Sequence, residues 1–166
     1  MQIIETISEQ ETFEYGKRLG QAAKAGSVYA LMGDLGTGKT VIAKGMAAGL
    51  GIEEPVVSPT FMIVREYRGE YRPSDDIYGD VNRSTLPFFH FDIYRLEDED
   101  ELFEIGWEDY LSQEGVCLVE WADLIREAMP ANAVWIGVEK DLSKGPEYRR
   151  ILQGSAGEIF GTEDKK

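Results

Sequence analysis

Residues 27–50 read SVYALMGDLGTGKTVIAKGMAAGL, and the order of parts in this stretch decides the fold. An apolar run rich in strand formers, Ser27 to Met32, leads into glycines, and a helical pattern follows. Ile42, Ala43, Met46, Ala47 and Leu50 recur at helical spacing on one face, with Gly51 placed to terminate the helix. Between strand and helix, Gly33-Asp34-Leu35-Gly36-Thr37-Gly38-Lys39-Thr40 matches the phosphate-loop pattern G-x-x-x-x-G-K-[ST]. Its glycines permit positive φ, so that consecutive backbone N–H groups can turn inward around a phosphate. Lys39 can reach the β- and γ-phosphates, the Thr40 hydroxyl can bind Mg²⁺, and the helix start adds its positive dipole end. A glycine-rich turn that bound nothing would need neither flanking element. The reading is a phosphate loop.

Outward from this centre, strands and helices alternate. Ser8 with Glu11 three residues later has the signature of a helix start, and Phe13, Gly16, Leu19, Gly20 and Ala23 fall near one face. The small residues on that face predict a helix lying close to a sheet. Thr60–Tyr67, Phe88–Tyr94 and Val116–Trp121 read as strands. The polar segment Arg68 to Pro87 reads as a long excursion, and residues 97–115 as a helix broken at Gly106. ADLIREAM (122–129) reads as a short helix ended by Pro130. Residues 133–142 and 147–155 read as a closing hairpin, with a frayed tail over 160–166. No repeat or linker interrupts the pattern. The expectation is one α/β domain spanning 1–166, of P-loop NTPase type, with a central mixed sheet flanked by helices and an antiparallel C-terminal hairpin.

Bulk properties narrow the class. The chain has 166 residues, 43% hydrophobic and 29% charged, within the ordinary range for a globular domain. No stretch approaches the roughly 18 apolar residues of a membrane span. The N-terminal residues lack a basic start followed by an apolar run, and the single cysteine, Cys117, excludes an internal disulfide. The expectation is a cytoplasmic protein with no membrane partner. Seventeen basic against thirty-one acidic residues give a formal charge of -14. Nucleic acid is therefore not an expected direct partner, since phosphate backbones reward clustered Lys and Arg. A protein partner with a basic surface fits better.

A nucleotide hydrolase also needs a strand-end carboxylate for Mg²⁺ and a group to orient the attacking water. FFHFD ends at Asp92 and VCLVE at Glu120. Assigning Asp92 to the metal and Glu120 to the water is one reading, and the reverse, with Glu120 on the metal, is the other. SPT (58–60) opens the next strand, where a hydroxyl could sense the γ-phosphate and Mg²⁺ as switch threonines do, or the Ser-Pro pair could simply make a turn. Trp121 either shields the site or packs in the core. His90, the only histidine, is as well suited to a structural role as to a catalytic one. Arg65, Arg68, Arg72 and Arg95 are candidate phosphate-binding arginines. No Asn-Lys-x-Asp guanine signature occurs, which favours ATP over GTP.

GDLGTGKT, SPTF, HFDIYRL and VEW, in this order and spacing, resemble the bacterial TsaE (YjeE) family of ATPases from about Ser8 to about Gln153. The excursion between Arg68 and Pro87 is longer than the family pattern. The resemblance implies a role in making N6-threonylcarbamoyladenosine (t6A) beside the anticodon of tRNAs. It also implies binding to the TsaD–TsaB transferase complex and ATP hydrolysis that supports that complex's repeated turnover. Carried over by motif, Thr40 and Asp92 would serve Mg²⁺, Lys39 the phosphates, Glu120 with Trp121 the essential acidic strand end, and Thr60 the switch-like segment. A small-molecule or nucleotide kinase is the alternative, with a lid that could hide in the excursion carrying Arg72 and Arg83. A nucleotide-dependent switch with negligible turnover is a third class.

Overall fold

The computed structural model describes residues 1–59, 62–68 and 86–161. Seven strands of the described residues join one sheet in the order β1-β7-β6-β2-β5-β4-β3. The strands are β1 (Gln2–Thr6), β2 (Val28–Met32), β3 (Val64–Arg68), β4 (Pro87–Asp92), β5 (Val116–Glu120), β6 (Val134–Lys140) and β7 (Arg149–Gly154). Strands β6, β2, β5 and β4 run parallel in the centre. Antiparallel β7 and β1 extend one edge, and antiparallel β3 the other. The central strands are near-continuous apolar runs because helices cover both faces of the sheet. The expected mixed sheet with a C-terminal antiparallel hairpin is what forms.

Alternation along these strands sends side chains to two cores. Leu31, Leu118, Ile136 and Phe88 pack with Ile42 and Met46 on the side of helices α1 (Glu9–Ala22) and α2 (Lys39–Gly49). Ala30, Val119, Phe91 and Trp135 pack on the other face with Trp107 and Ile125. There α3 (Glu99–Glu104), α4 (Trp107–Ser112) and a 3-10 segment, Ala122–Ala128, form the cover. Gly106, at φ +85°, breaks α3 from α4 as the sequence predicts.

The small residues of α1 serve a different contact from the one expected of them. A Cβ on Gly16 would lie 2.3 Å from the Ile42 carbonyl oxygen, and one on Gly20 2.2 Å from that of Met46. The match is reciprocal, since a Cβ on Gly45 would lie 2.2 Å from the Phe13 carbonyl oxygen. The glycines thus let α1 approach α2 backbone to backbone, not the sheet. This contact holds the helix that opens at the phosphate loop.

Other elements depart from expectation. Strand β3 begins at Val64, not Thr60, because Met62 and Ile63 turn back to the Pro59 carbonyl and Ile63 has φ +63°. Strand β4 ends at Asp92, short of Tyr94, whereas the expected short helix after β5 does form, as the 3-10 segment Ala122–Ala128. Strand β1 has no counterpart in the sequence reading: QIIET is short and its exposed edge position blurs its pattern. Helix α5 (Ala156–Phe160), capped by Ser155 and Glu158, is not expected from the pattern, and Phe160 belongs to it and not to a frayed tail, because its ring packs edge-on against Trp135 at 4.9 Å. Most of the Arg68–Pro87 excursion, and Thr60 with it, lies outside the described residues.

Candidate functional site

The four parallel strands end at one edge of the sheet, where α/β folds bind ligands. The loop 33–38 leaves β2 there and enters α2 through Gly38, whose φ of +100° is left-handed. Gly33 is confined from below: a Cβ on it would lie 2.5 Å from the Val138 carbonyl oxygen. Thr37 braces the loop internally, its hydroxyl donating to the Asp34 carbonyl at 2.9 Å. The Lys39 ammonium donates to the carbonyls of Gly33 (2.6 Å) and Asp34 (2.8 Å), and lies 4.0 Å over the Trp121 ring. Burial holds its pKa below the ordinary lysine value, opposed by the carboxylates of Glu120, Asp92, Asp123 and Asp34. A buried ammonium at the loop's mouth, held by two backbone carbonyls and facing these acids, is suited to receiving an anion.

The two strand-end acids come together through sheet register. Asp92 of β4 pairs with Glu120 of β5, and Glu120 in turn with Leu31 of β2, two residues before Gly33. Both acids are buried. One Asp92 oxygen accepts from the Ser58 hydroxyl at 2.8 Å, the other from the Tyr94 N–H at 3.2 Å. Glu120 accepts a hydrogen bond from His90 Nε2 at 2.7 Å. His90 and Asp92 lie two apart on β4 and share its face, so one strand holds both the metal candidate and the partner of the other acid. Trp121 follows Glu120 in a left-handed turn, φ +65°, and its ring contacts Lys39 on one side and Tyr94 on another, the latter at 4.7 Å between centroids. Trp121 thus lies against Lys39 at the loop's mouth and also packs against the core of that face.

Gly33 to Thr40, Asp92, Glu120 and Trp121 thus converge, while Thr60, Arg72 and Arg83 lie outside the described residues. The sequence leaves His90 open between roles and gives Lys140 and Arg149 no part, while Ser58 belongs to the SPT stretch whose hydroxyls it singles out. An H-x-D spacing on a strand was the available signal for His90, but its pairing with Glu120 needed the register of β4 against β5. Lys140 and Arg149 sit opposite one another on β6 and β7. Lys140 Nζ donates to the Leu35 carbonyl at 3.3 Å and Arg149 Nε to the Thr37 carbonyl at 2.6 Å. Beside the loop lies a cleft of about 670 Å³ lined by Asp34, Trp121, Asp123, Lys140 and Leu142 among others. Among the described residues no helix is long and apolar enough to cross a membrane, and no cluster of three or more His, Cys, Asp or Glu forms a metal cage.

A glycine loop between a parallel strand and a helix, with two strand-end carboxylates beside it, defines the P-loop NTPase type of nucleotide-binding fold. Comparison with known proteins makes the class specific. The model of the family described as "Threonylcarbamoyl adenosine biosynthesis protein TsaE" matches residues 6–151, and the chain belongs to that family. The tRNA threonylcarbamoyladenosine biosynthesis protein TsaE of Bacillus subtilis (strain 168) is 42% identical over 155 residues, covering 93% of this chain and 86% of the relative. The protein of the same name from Treponema pallidum (strain Nichols) is 34% identical over 131 residues, covering 79% and 86%. The crystal structure of Bacillus subtilis YdiB superposes with a TM-score of 0.67 at 34% identity, covering 96% of this chain and 88% of that one.

Proposed function

We propose that this chain is a cytoplasmic, Mg²⁺-dependent ATPase that supports t6A modification of tRNA by acting on the TsaD–TsaB transferase complex. The observation carrying the reading is the convergence of Lys39, Asp92 and Glu120 on the loop 33–40 in a member of the TsaE family. The loop amides and Lys39 bind the phosphates, so the ammonium exchanges its two carbonyl acceptors for phosphate oxygens. The adjoining cleft falls within the roughly 300–1,000 Å³ of small-molecule sites and accommodates the nucleoside.

The donor set fits Mg²⁺, which takes one or two carboxylates alongside phosphate oxygens and water and does not require an all-protein cage. Thr40 and Asp92 would hold it, and Ser58 and the Tyr94 N–H keep the Asp92 carboxylate oriented. When bound, the ion neutralises charge developing on the phosphates. Glu120 orients the attacking water and accepts its proton, with His90 holding the carboxylate in position. Trp121 and Tyr94 limit water access to the Lys39 side of the site. The acidic surface matches a protein partner, not direct contact with tRNA.

The test is phosphate release from ATP with Mg²⁺, with and without purified TsaD–TsaB, for wild type, Asp92→Ala and Glu120→Ala. Stimulation by the complex is expected for wild type. Loss of turnover with retained nucleotide binding is expected for Glu120→Ala, and weakened Mg²⁺-dependent binding for Asp92→Ala. Turnover indifferent to the complex would overturn the partner assignment. A phosphorylated small-molecule product would point instead to a kinase.

A further inference from the structure

We infer that Arg149, assisted by Lys140 at the wall of the cleft, is a positioning residue that shapes the phosphate nest by fixing alternate peptide planes of the loop. In a trans peptide the carbonyl of one residue and the N–H of the next point to opposite sides. Arg149 Nε holds the Thr37 carbonyl at 2.6 Å, so the Gly38 N–H is turned the other way, toward the loop's interior. Lys140 Nζ holds the Leu35 carbonyl at 3.3 Å and does the same for the Gly36 N–H. The two cations are register partners across β6 and β7, so the C-terminal hairpin acts as a single strap. Arg149 is itself braced, its Nη1 donating to the carbonyls of Pro146 at 2.8 Å and Tyr148 at 2.7 Å. Lys39 differs in kind, since its carbonyl acceptors, Gly33 and Asp34, are those it gives up for phosphate, whereas the strap holds the carbonyls of Leu35 and Thr37. The strap also sets two positive charges against the loop in a chain of net charge -14.

The inference rests on the nucleotide-binding reading, and one titration separates the two. Binding of mant-ATP with Mg²⁺ is measured for wild type, Arg149→Met, Arg149→Lys and Lys140→Met, with thermal midpoints of the nucleotide-free proteins and the ¹⁵N–¹H resonances of Gly36 and Gly38. Arg149→Met should weaken binding about tenfold, the lower end for losing a charged hydrogen bond. It should raise KM with kcat nearly unchanged, and shift the Gly38 amide. Arg149→Lys, which keeps a charged donor, should recover part of the affinity, and Lys140→Met should act more weakly, on Gly36. Wild-type affinity in Arg149→Met would overturn the inference while leaving the functional reading intact. So would weakened binding that tracks a fallen midpoint with an unmoved Gly38 amide. A wild type that binds no nucleotide would overturn the functional reading and this inference together.

Discussion

Removing the His90 ring should expose how strongly the catalytic candidate depends on its neighbour. His90 is fully buried, Glu120 nearly so, and Nε2 lies 2.7 Å from the carboxylate. An ionised carboxylate can only accept, so the shared proton belongs to Nε2. Nδ1 has no hydrogen-bond partner among the described residues, and the ring is otherwise held by stacking on Phe88, 6.1 Å between centroids. The Glu120 bond is thus the ring's main polar anchor. His90→Ala removes a fully buried ring and leaves the Glu120 carboxylate without its donor, a loss of about 3–5 kcal/mol for a large buried side chain. At about 2–4 °C per kcal/mol for a chain of this size, the midpoint should fall by roughly 6–20 °C. Part of that loss is the cavity, so the pair itself is isolated by a double-mutant cycle. Urea unfolding of wild type, His90→Ala, Glu120→Ala and the double variant should give a coupling of about 1.5–3 kcal/mol, the range for a hydrogen bond to a charged group. A coupling below about 0.5 kcal/mol would refute the pair as an energetic unit and return His90 to plain core packing.

Two further substitutions test the frame around the site. Gly45→Ala places a Cβ 2.2 Å from the Phe13 carbonyl oxygen and must push α1 and α2 apart. Overpacking of this kind costs about 1–3 kcal/mol, so unfolding should move to lower urea concentration with an unchanged slope, and an unmoved midpoint would show that the helices separate freely. For Lys39, a pKa lowered by burial means that the fold disfavours its charge, a penalty present below the folded pKa and relieved as pH rises toward the ordinary 10.5. Lys39→Met should therefore not lower the midpoint of the nucleotide-free protein at neutral pH. MgATP at a hundredfold over Kd should raise the wild-type midpoint by roughly 5–10 °C and leave the variant's unmoved. A variant markedly less stable than wild type without nucleotide would contradict the reading of Lys39 as a strained, anion-seeking cation.

Much of this architecture is local and therefore legible. The strand–loop–helix unit around Gly33–Thr40 depends on apolar runs, on glycines and on helical spacing, all of which act within a few residues. The strand-end acids were visible because buried parallel strands are near-continuous apolar runs, so a carboxylate that ends one stands out, as Asp92 and Glu120 do. Strand β1 and the start of β3 were less legible for the same physical reason in reverse. An edge strand has one neighbour and weak burial, and Ile63 is turned by its hydrogen bond to the Pro59 carbonyl, which pattern alone does not report.

From residue order alone follow the phosphate loop, the α/β class, the acids beside it and the likeness to a family, because each is carried by spacing along the chain. The tertiary structure adds what depends on register and on close approach between distant segments. It sets Asp92 beside Glu120, gives Glu120 its histidine, and lays Trp121 against Lys39. It also turns the glycines of α1 toward α2, and brings Arg149 to a carbonyl 112 residues away in sequence. Such contacts are chosen by the global packing of the sheet. A one-residue slip of a strand would turn its side chains to the opposite face and undo them.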